Sequence, residues 1–368
     1  MLWAALLDSI EKADPAILLR RVEIDSGHQE NLPTMMRLGI TIPLDGFQNP
    51  HFAELVRHAE RAGFTDGWSY ETFHGDAFVP VAAAAVASEK MRLGTAIVPV
   101  FTRPAALIAI SAASVQRLSG GRFILGVGIS TPTIVEQWMG VPYKMPVTRL
   151  RETVEALRLA FTGQKVTMAG KTVHINGFRL SGPVEPPPPI YVGAQGALML
   201  RTAGEIGDGV IVNYITPETF GPLLDHIREG ARSAGKPTDN IDIACRIIVA
   251  IDPEEEIVRE NLRRELTAYV TVPQYNKFFR EIGFESEARV ALEAWNAGDR
   301  KKALQSIPES MIESLYVLGS PERIAKRLHE FEKAGITTST LQFNSFAPDP
   351  AVRRTRVLKA IETLASNW

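Results

Sequence analysis

A strand–helix–strand pattern in the first third of the chain is the feature that most restricts its fold. An apolar run at 93–100 is followed by a loop, an amphipathic stretch at 106–118, the pair Gly120-Gly121 and a second apolar run at 123–129. This order is typical of two parallel strands joined by a helix that the glycines end. Because both runs are apolar at nearly every position, the sequence predicts a parallel sheet that helices cover on both faces.

The same alternation continues over most of the chain. Strands are predicted at residues 37–43, 66–70, 93–100, 123–129, 190–192, 210–214, 241–251 and 338–343. Helices are predicted at residues 52–62, 79–89, 106–118, 149–161, 197–206, 218–234, 322–334 and 352–364. Eight such units predict an α/β fold, a closed (β/α)8 TIM barrel, with an open doubly wound sheet as the alternative. We favour the barrel because the units repeat without a break.

Two insertions and one extension stand outside this repeat. After strand four, a loop with a helical turn and a small hairpin at 166–180 are predicted, and after strand seven residues 254–314 are helical. Residues 36–368 are expected to form a single barrel domain. Residues 1–35 fit the repeat poorly, and we expect either an N-terminal extension or a helix across the barrel floor.

Composition narrows the function. The net charge of -2 gives no general attraction to nucleic acid or to an anionic membrane. The single cysteine, Cys245, excludes an internal disulfide framework and is expected to be a small core residue, and scattered histidines indicate no metal site. There is no apolar run of about 18 residues and no basic segment ahead of the apolar start, so we expect a cytoplasmic protein.

In a TIM barrel the active site forms at the C-terminal ends of the strands. Strand five runs into Gly193-Ala194-Gln195-Gly196 directly before a helix, where exposed backbone N–H groups suit a phosphate. The alternative is that these glycines serve only a tight turn. Glu71 and His74 share the loop after strand two, and a carboxylate with an imidazole can transfer protons near neutral pH, unless both are merely solvated.

Several stretches resemble the bacterial-luciferase-like monooxygenase superfamily, and within it the F420-dependent oxidoreductases. They are Gly39-Ile40, GFTDGWSYETFH (63–74), MRLGTAIVP (91–99), LSGGRFILGVG (118–128), PPIYVGAQG (188–196) and AGEIGDGVI (203–211). The resemblance covers residues 37–215 and, more loosely, the last unit. It implies a barrel that holds coenzyme F420 or, as the alternative, FMN.

The resemblance also implies which residues hold the cofactor. Around the ring these are Glu71, Thr72, Ala96, Ile97, Pro99, Gly128, Ile129 and Ser130, and near the phosphate they are Gly193, Gln195, Gly196 and Met199. A non-prolyl cis peptide in the third strand of relatives corresponds here to the bond Ala96–Ile97. On the substrate side the corresponding positions are Thr131 and Asn213.

Two positions depart from the family pattern. Thr72 stands where several F420 relatives have a catalytic histidine, and Thr131 stands where sugar-phosphate-oxidising relatives have a glutamate. His74 is then expected either to replace that histidine or to flank the pocket, with Glu71 as the second catalytic candidate.

The expected function is hydride transfer between the deazaflavin and a small organic substrate. The alternatives are an FMN-dependent monooxygenase that uses O2 and a non-catalytic cofactor-binding barrel. Aromatic residues in the second insertion form either core or a lid over an apolar substrate: Tyr269, Tyr275, Phe278, Phe279 and Trp295. The resemblance further implies a homodimer.

Overall fold

The computed structural model describes residues 35–47, 50–72 and 75–368. Its strands are, in chain order, β1 (Arg37–Thr41), β2 (Asp66–Ser69), β3 (Arg92–Thr95), β4 (Val98–Pro99), β5 (Phe123–Gly128), β6 (Val166–Ala169), β7 (His174–Phe178), β8 (Ile190–Gly193), β9 (Gly209–Asn213), β10 (Asp242–Ala250), β11 (Val317–Leu318) and β12 (Thr338–Asn344). Eight of them pair in parallel in the order β1-β2-β3-β5-β8-β9-β10-β12, and β12 pairs with β1. The sheet is therefore closed, which confirms the predicted TIM barrel.

Helices follow the barrel strands as the apolar pattern predicts. They are α1 (Phe52–Ala62), α2 (Phe78–Ala87), α3 (Ala105–Leu118), α4 (Pro146–Phe161), α5 (Gly196–Ile206), α6 (Pro217–Ser233), α7 (Glu255–Val270), α8 (Pro273–Glu281), α9 (Glu285–Asn296), α10 (Arg300–Gln305), α11 (Glu309–Leu315), α12 (Pro321–Ala334) and α13 (Pro350–Ser366). The buried residues of the helices and the apolar residues of the strands form one large core. None of the helices among the described residues could cross a membrane.

Both insertions lie where the sequence predicted them. The first consists of a π-helix (Thr133–Trp138) ahead of the barrel helix α4 and the antiparallel hairpin β6–β7 after it. The second consists of helices α7 to α11 and leads into β11, a two-residue strand that the sequence did not reveal. Strand β11 pairs with Val249 and Ala250 at the end of β10, above the segment of β10 that pairs with β9. The second insertion is thereby attached to the C-terminal end of the barrel.

Inward-facing residues of β10 show how the barrel interior is layered. Asp242 accepts hydrogen bonds from Arg92 (3.0 Å) and the Tyr191 hydroxyl (2.5 Å) in an ionic layer at the N-terminal end. Ala244 comes next in a small apolar cluster that includes Tyr191. Because side chains alternate along a strand, Arg246 also faces inward, one layer nearer the C-terminal end. Charged groups therefore fill the floor, and the candidate site lies at the opposite end.

Residues 1–34 lie outside the described residues, so the predicted N-terminal extension, or helix across the floor, remains a prediction.

Candidate active site

The third strand breaks at the point where it reaches the barrel mouth. The peptide bond Ala96–Ile97 is cis, as the resemblance implied, and it separates β3 from β4. The Ile97 side chain then occupies space that two glycines leave free: a Cβ on Gly128 would lie 2.9 Å from Ile97 Cγ1, and one on Gly193 would lie 2.8 Å from Cγ2. The glycines of β5 and β8 are therefore required for Ile97 to sit between them.

Solvent reaches into this part of the barrel. Ala96, Ile97 and Gly193 are partly exposed, although they lie among strands whose other residues are largely buried. Three buried polar atoms in the upper barrel have no hydrogen-bond partner among the described residues: Thr41 Oγ1, Trp68 Nε1 and Gln342 Oε1. Buried polar groups are normally paired, so unpaired ones beside an accessible opening fit a site for a ligand with polar edges.

The loop after β8 supports the predicted phosphate site. Gln195 has an extended backbone and immediately precedes α5, but its side chain does not form a capping hydrogen bond with the backbone N–H groups of that helix. Gly196, the first residue of α5, has a φ of +70°. Gln195 instead donates a hydrogen bond from Nε2 to Asn213 Oδ1 at 2.6 Å. The positive end of the helix dipole favours an anion here, and a carboxylate oxygen, Glu281 Oε2, lies 3.5 Å from the position that a Cβ on Gly196 would take. Met199, one turn along, is buried beneath this end of α5.

Ile129, Ser130 and Thr131 continue β5 at the mouth, and all three are partly exposed. Ser130 has a φ of +58°, an uncommon conformation for a residue other than glycine, and its carbonyl accepts a hydrogen bond from the Tyr143 hydroxyl at 3.4 Å. The Thr131 hydroxyl accepts a hydrogen bond from the backbone N–H of Ile134 at 3.4 Å, in the first turn of the π-helix. Thr131 thus anchors the first insertion at the predicted substrate side.

Glu71 is held by an arginine that sequence reasoning missed. Arg103 donates from Nε to Glu71 Oε2 at 2.8 Å and to Oε1 at 3.1 Å, and it also forms an ion pair with Asp76. The backbone N–H of Glu71 donates a hydrogen bond to the carbonyl of Ile97 at 3.3 Å, so the backbone of Glu71 lies beside the cis peptide. Its bidentate pairing fits a positioning role better than proton transfer.

Thr72 pairs with Gly75 through two backbone hydrogen bonds of 3.2 Å and closes the loop that carries the predicted catalytic histidine. His74 itself lies outside the described residues, so its proposed role remains a prediction. Pro99, also predicted at the cofactor, is buried in β4.

On the other side of the mouth, tyrosines surround Arg246. Its guanidinium carbon lies 5.4 Å from the ring centre of Tyr214, 5.8 Å from that of Tyr70 and 5.9 Å from that of Tyr269. Tyr269 and Tyr275 come from α7 and α8, and their ring centres are 5.1 Å apart. Sequence reasoning missed Arg246, because an arginine within an apolar run gives no sign of which side of the sheet it faces.

The aromatic residues of the second insertion therefore divide into two groups. Phe278 and Phe279 are buried in the core, as the first interpretation expected. Tyr269 and Tyr275 are partly exposed and pack against Tyr214 at the mouth, at 4.7 Å and 6.0 Å between ring centres. Trp295 instead stacks on Arg300. Cys245 is a buried core residue, as expected, and burial raises the pKa of its thiol.

A family model for luciferase-like monooxygenases matches residues 36–338. The chain belongs to the luciferase-like monooxygenase family. One relative of this family member, the 5,10-methylenetetrahydromethanopterin reductase of Methanopyrus kandleri, is 31% identical over 306 residues, which cover 77% of this chain and 86% of the reductase.

Solved structures agree with this assignment. The structure of the coenzyme F420-dependent tetrahydromethanopterin reductase from Methanopyrus kandleri has a TM-score of 0.75 and 29% identity, and the match covers 90% of this luciferase-like chain and 98% of the reductase. An F420-dependent secondary alcohol dehydrogenase in complex with an F420–acetone adduct, at 21% identity, has a TM-score of 0.72 over 90% of this chain and 99% of its own, and shares the fold. These comparisons confirm the predicted superfamily, its F420-dependent branch and the prediction that the protein is an oxidoreductase.

Proposed function

We propose that this luciferase-like protein uses coenzyme F420 to transfer a hydride to or from a small organic substrate. The observation that carries the proposal is the barrel mouth at Ile97, where Ala96, Ile97 and Gly193 are partly exposed and the Ile97 side chain packs against Gly128 and Gly193. The resemblance to the coenzyme F420-dependent reductase of Methanopyrus kandleri supports the choice of F420.

The residues at the mouth have distinct proposed roles toward the cofactor. Ile97 supports one face of the ring, Ile129 and Ser130 lie along its side, and Glu71, fixed by Arg103, positions its edge. The predicted ring contacts Thr72, Ala96 and Pro99 complete this side. When bound, the deazaflavin supplies the hydride chemistry.

The anionic tail of the cofactor is assigned to the N-terminus of α5. Gln195 and Gly196 offer the backbone N–H groups there, and Met199 supports the helix from below. Asn213 holds the Gln195 side chain at 2.6 Å and so connects this site to the substrate side, where Thr131 also lies.

A titration of the purified protein with F420 and with FMN, followed by the fluorescence of each, tests the proposal. We expect saturable binding of F420 and reduction of bound F420 by a substrate, or oxidation of its reduced form. Tight binding of FMN without measurable affinity for F420 would instead favour the oxygen-using monooxygenase. F420 binding without turnover of any carbonyl, imine or alcohol would favour a non-catalytic binding barrel.

We further propose that the protein forms a homodimer through α2 and α3. These neighbouring helices expose large apolar side chains: Val79, Val86, Leu107, Ile110 and Leu118. Val86 is 74% exposed and Val79 is 68% exposed, and such apolar surfaces are typical of protein interfaces.

The cytoplasmic location remains a prediction from the sequence.

A further inference from the structure

A second carboxyl group lies at the mouth, on the side opposite Ile97. Glu265 projects from α7 of the second insertion toward the ends of β10 and β12, and Asn344 Nδ2 donates a hydrogen bond to its Oε2 at 3.4 Å. Ile97 directly follows β3, and β10 lies four positions from β3 around the eight-stranded barrel. Arg246 on β10 and the nearby Glu265 are therefore on the side of the barrel opposite Ile97. A molecule beside the proposed ring would lie between these two sides.

The surroundings of Glu265 differ from those of Glu71. Arg103 occupies both oxygens of Glu71 at 2.8 Å and 3.1 Å. Glu265 accepts a long hydrogen bond from Asn344 Nδ2 at 3.4 Å and lies near the Tyr214 hydroxyl and the charge of Arg246, whose guanidinium is surrounded by tyrosine rings. Glu71 is thus held by a guanidinium in direct contact, whereas Glu265 has neutral partners, Asn344 and Tyr214, which do not use all the acceptor sites of a carboxylate.

A chain of contacts joins Glu265 to the proposed cofactor site. Tyr269, one turn after Glu265 on α7, packs against Tyr275, and Tyr275 forms a hydrogen bond with Asn213. Asn213 in turn accepts the hydrogen bond from Gln195. Helices α7 and α8 are therefore connected through Tyr269, Tyr275 and Asn213 to Gln195, which precedes the proposed phosphate site.

We propose that Glu265 exchanges the proton that accompanies hydride transfer, an inference that rests on the proposed function. In the reducing direction, the hydride forms a new C–H bond at a substrate carbon attached to oxygen or nitrogen. The electron pair of the C=O, C=N or C–N bond that breaks moves onto the heteroatom, which takes the proton from the Glu265 carboxyl. The substrate gains two electrons from the reduced deazaflavin, and Arg246 stabilises the carboxylate that remains.

Electrostatics supports this assignment. Burial raises the pKa of the Glu265 carboxyl above its usual value, although Arg246 and the Tyr214 hydroxyl favour its charged form. A carboxyl whose pKa lies closer to neutrality is a better proton donor at physiological pH. The other titratable or polar groups around this cluster are Tyr70, Tyr269, Tyr275, Tyr316 and Asn344.

The test compares the full-length wild-type protein with Glu265→Gln and Glu265→Asp, using reduced F420 and 5,10-methylenetetrahydromethanopterin as the probe. We expect Glu265→Gln to lower kcat by about 100-fold or more and to remove the alkaline decline of the kcat–pH profile, with an unchanged Kd for F420. Glu265→Asp should recover part of kcat and retain that decline. The matched control is Glu260→Gln, which changes a partly exposed carboxylate on the same helix that pairs with Arg263 and Arg264, and it should match the wild type.

A kcat for Glu265→Gln within about threefold of wild type would overturn the inference while leaving F420 binding and turnover intact. Failure of the wild type to bind F420 would instead overturn the proposed function. If the wild type binds F420 but leaves this pterin unreduced, an infrared titration decides. The wild-type minus Glu265→Gln difference should show a carboxyl whose pKa lies above the usual value of 4.5, and a carboxyl that titrates at or below that value would refute the proton-donor role.

Discussion

Replacing Gly193 by alanine should displace Ile97 into the barrel mouth. The added Cβ would lie 2.8 Å from Ile97 Cγ2, whereas carbon atoms in favourable contact are about 3.5–4.0 Å apart, so Ile97 must move by about 1 Å. Overpacking of this kind costs about 1–3 kcal/mol of folding stability. Because Ile97 moves into the space assigned to the ring, we also expect the Kd for F420 to rise by about tenfold or more, which corresponds to about 1.4 kcal/mol.

Urea unfolding measures the first effect, and titration of F420 fluorescence measures the second. Gly221→Ala is the matched control, since it adds the same methyl group inside α6, where no atom lies within 4 Å. Gly221 precedes Pro222, whose ring crowds a Cβ on the preceding residue in a helix, so no gain in stability is expected, and the variant serves as the control for F420 binding, which should match the wild type. Wild-type stability and wild-type F420 affinity in Gly193→Ala would refute the packing argument.

Three further predictions concern Arg103, Glu152 and Val86. Arg103→Met leaves the largely buried Glu71 carboxylate without its bidentate partner, so it should cost about 1.5–3 kcal/mol in urea unfolding and weaken F420 binding; wild-type values of both would contradict the assignment. Burial opposes the ionisation of Glu152, but hydrogen bonds from the Thr172 hydroxyl and three backbone N–H groups outweigh it and lower its pKa to about 2. The ionised Glu152 therefore stabilises the fold fully above its unfolded-state pKa near 4.5, and this stabilisation is lost as the pH falls toward 2. Glu152→Gln should unfold at a lower urea concentration at pH 7 and lose less stability than the wild type on acidification. Equal urea midpoints for the two proteins at pH 7 would show that these hydrogen bonds contribute nothing. Val86→Lys places a charge on the exposed apolar face of α2 and should shift sedimentation from dimer to monomer; an unchanged sedimentation coefficient at the dimer value would locate the interface elsewhere.

The barrel could be predicted from the sequence because its strands are continuous apolar runs with a helix after each. The predicted strand at 123–129 and the observed β5, Phe123–Gly128, agree to within one residue. The two-residue β11 escaped prediction, because so short a strand carries no periodicity and its pairing with the end of β10 depends on distant residues. The break between β3 and β4 has no apolar signature either, and only the family resemblance indicated the cis bond at Ala96–Ile97.

Only the part of the candidate site that lies at the ends of the barrel strands could be predicted from the sequence. Glycines and the Gln195–Gly196 turn are local sequence features, so Gly128, Gly193 and Gly196 could be recognised in advance. Arg103 and Glu265 could not, because a charged residue in a loop or on a polar helix usually faces solvent, and their inward positions come from the tertiary fold. The role of each is visible only once the opposing strand ends meet.

Two glutamates at one barrel mouth therefore have different environments for a physical reason. Glu71 lies next to the cis peptide and is held by a guanidinium in direct contact, which keeps its oxygens in one orientation. Glu265 lies on an inserted helix, is more distant from its nearest cation and is partly removed from water, which disfavours its charged form. Environments that separate two carboxyl groups in this way typically assign one to electrostatic positioning and the other to proton transfer. The proposed cofactor side is therefore built by the ends of the barrel strands, and the proposed proton donor comes from the second insertion.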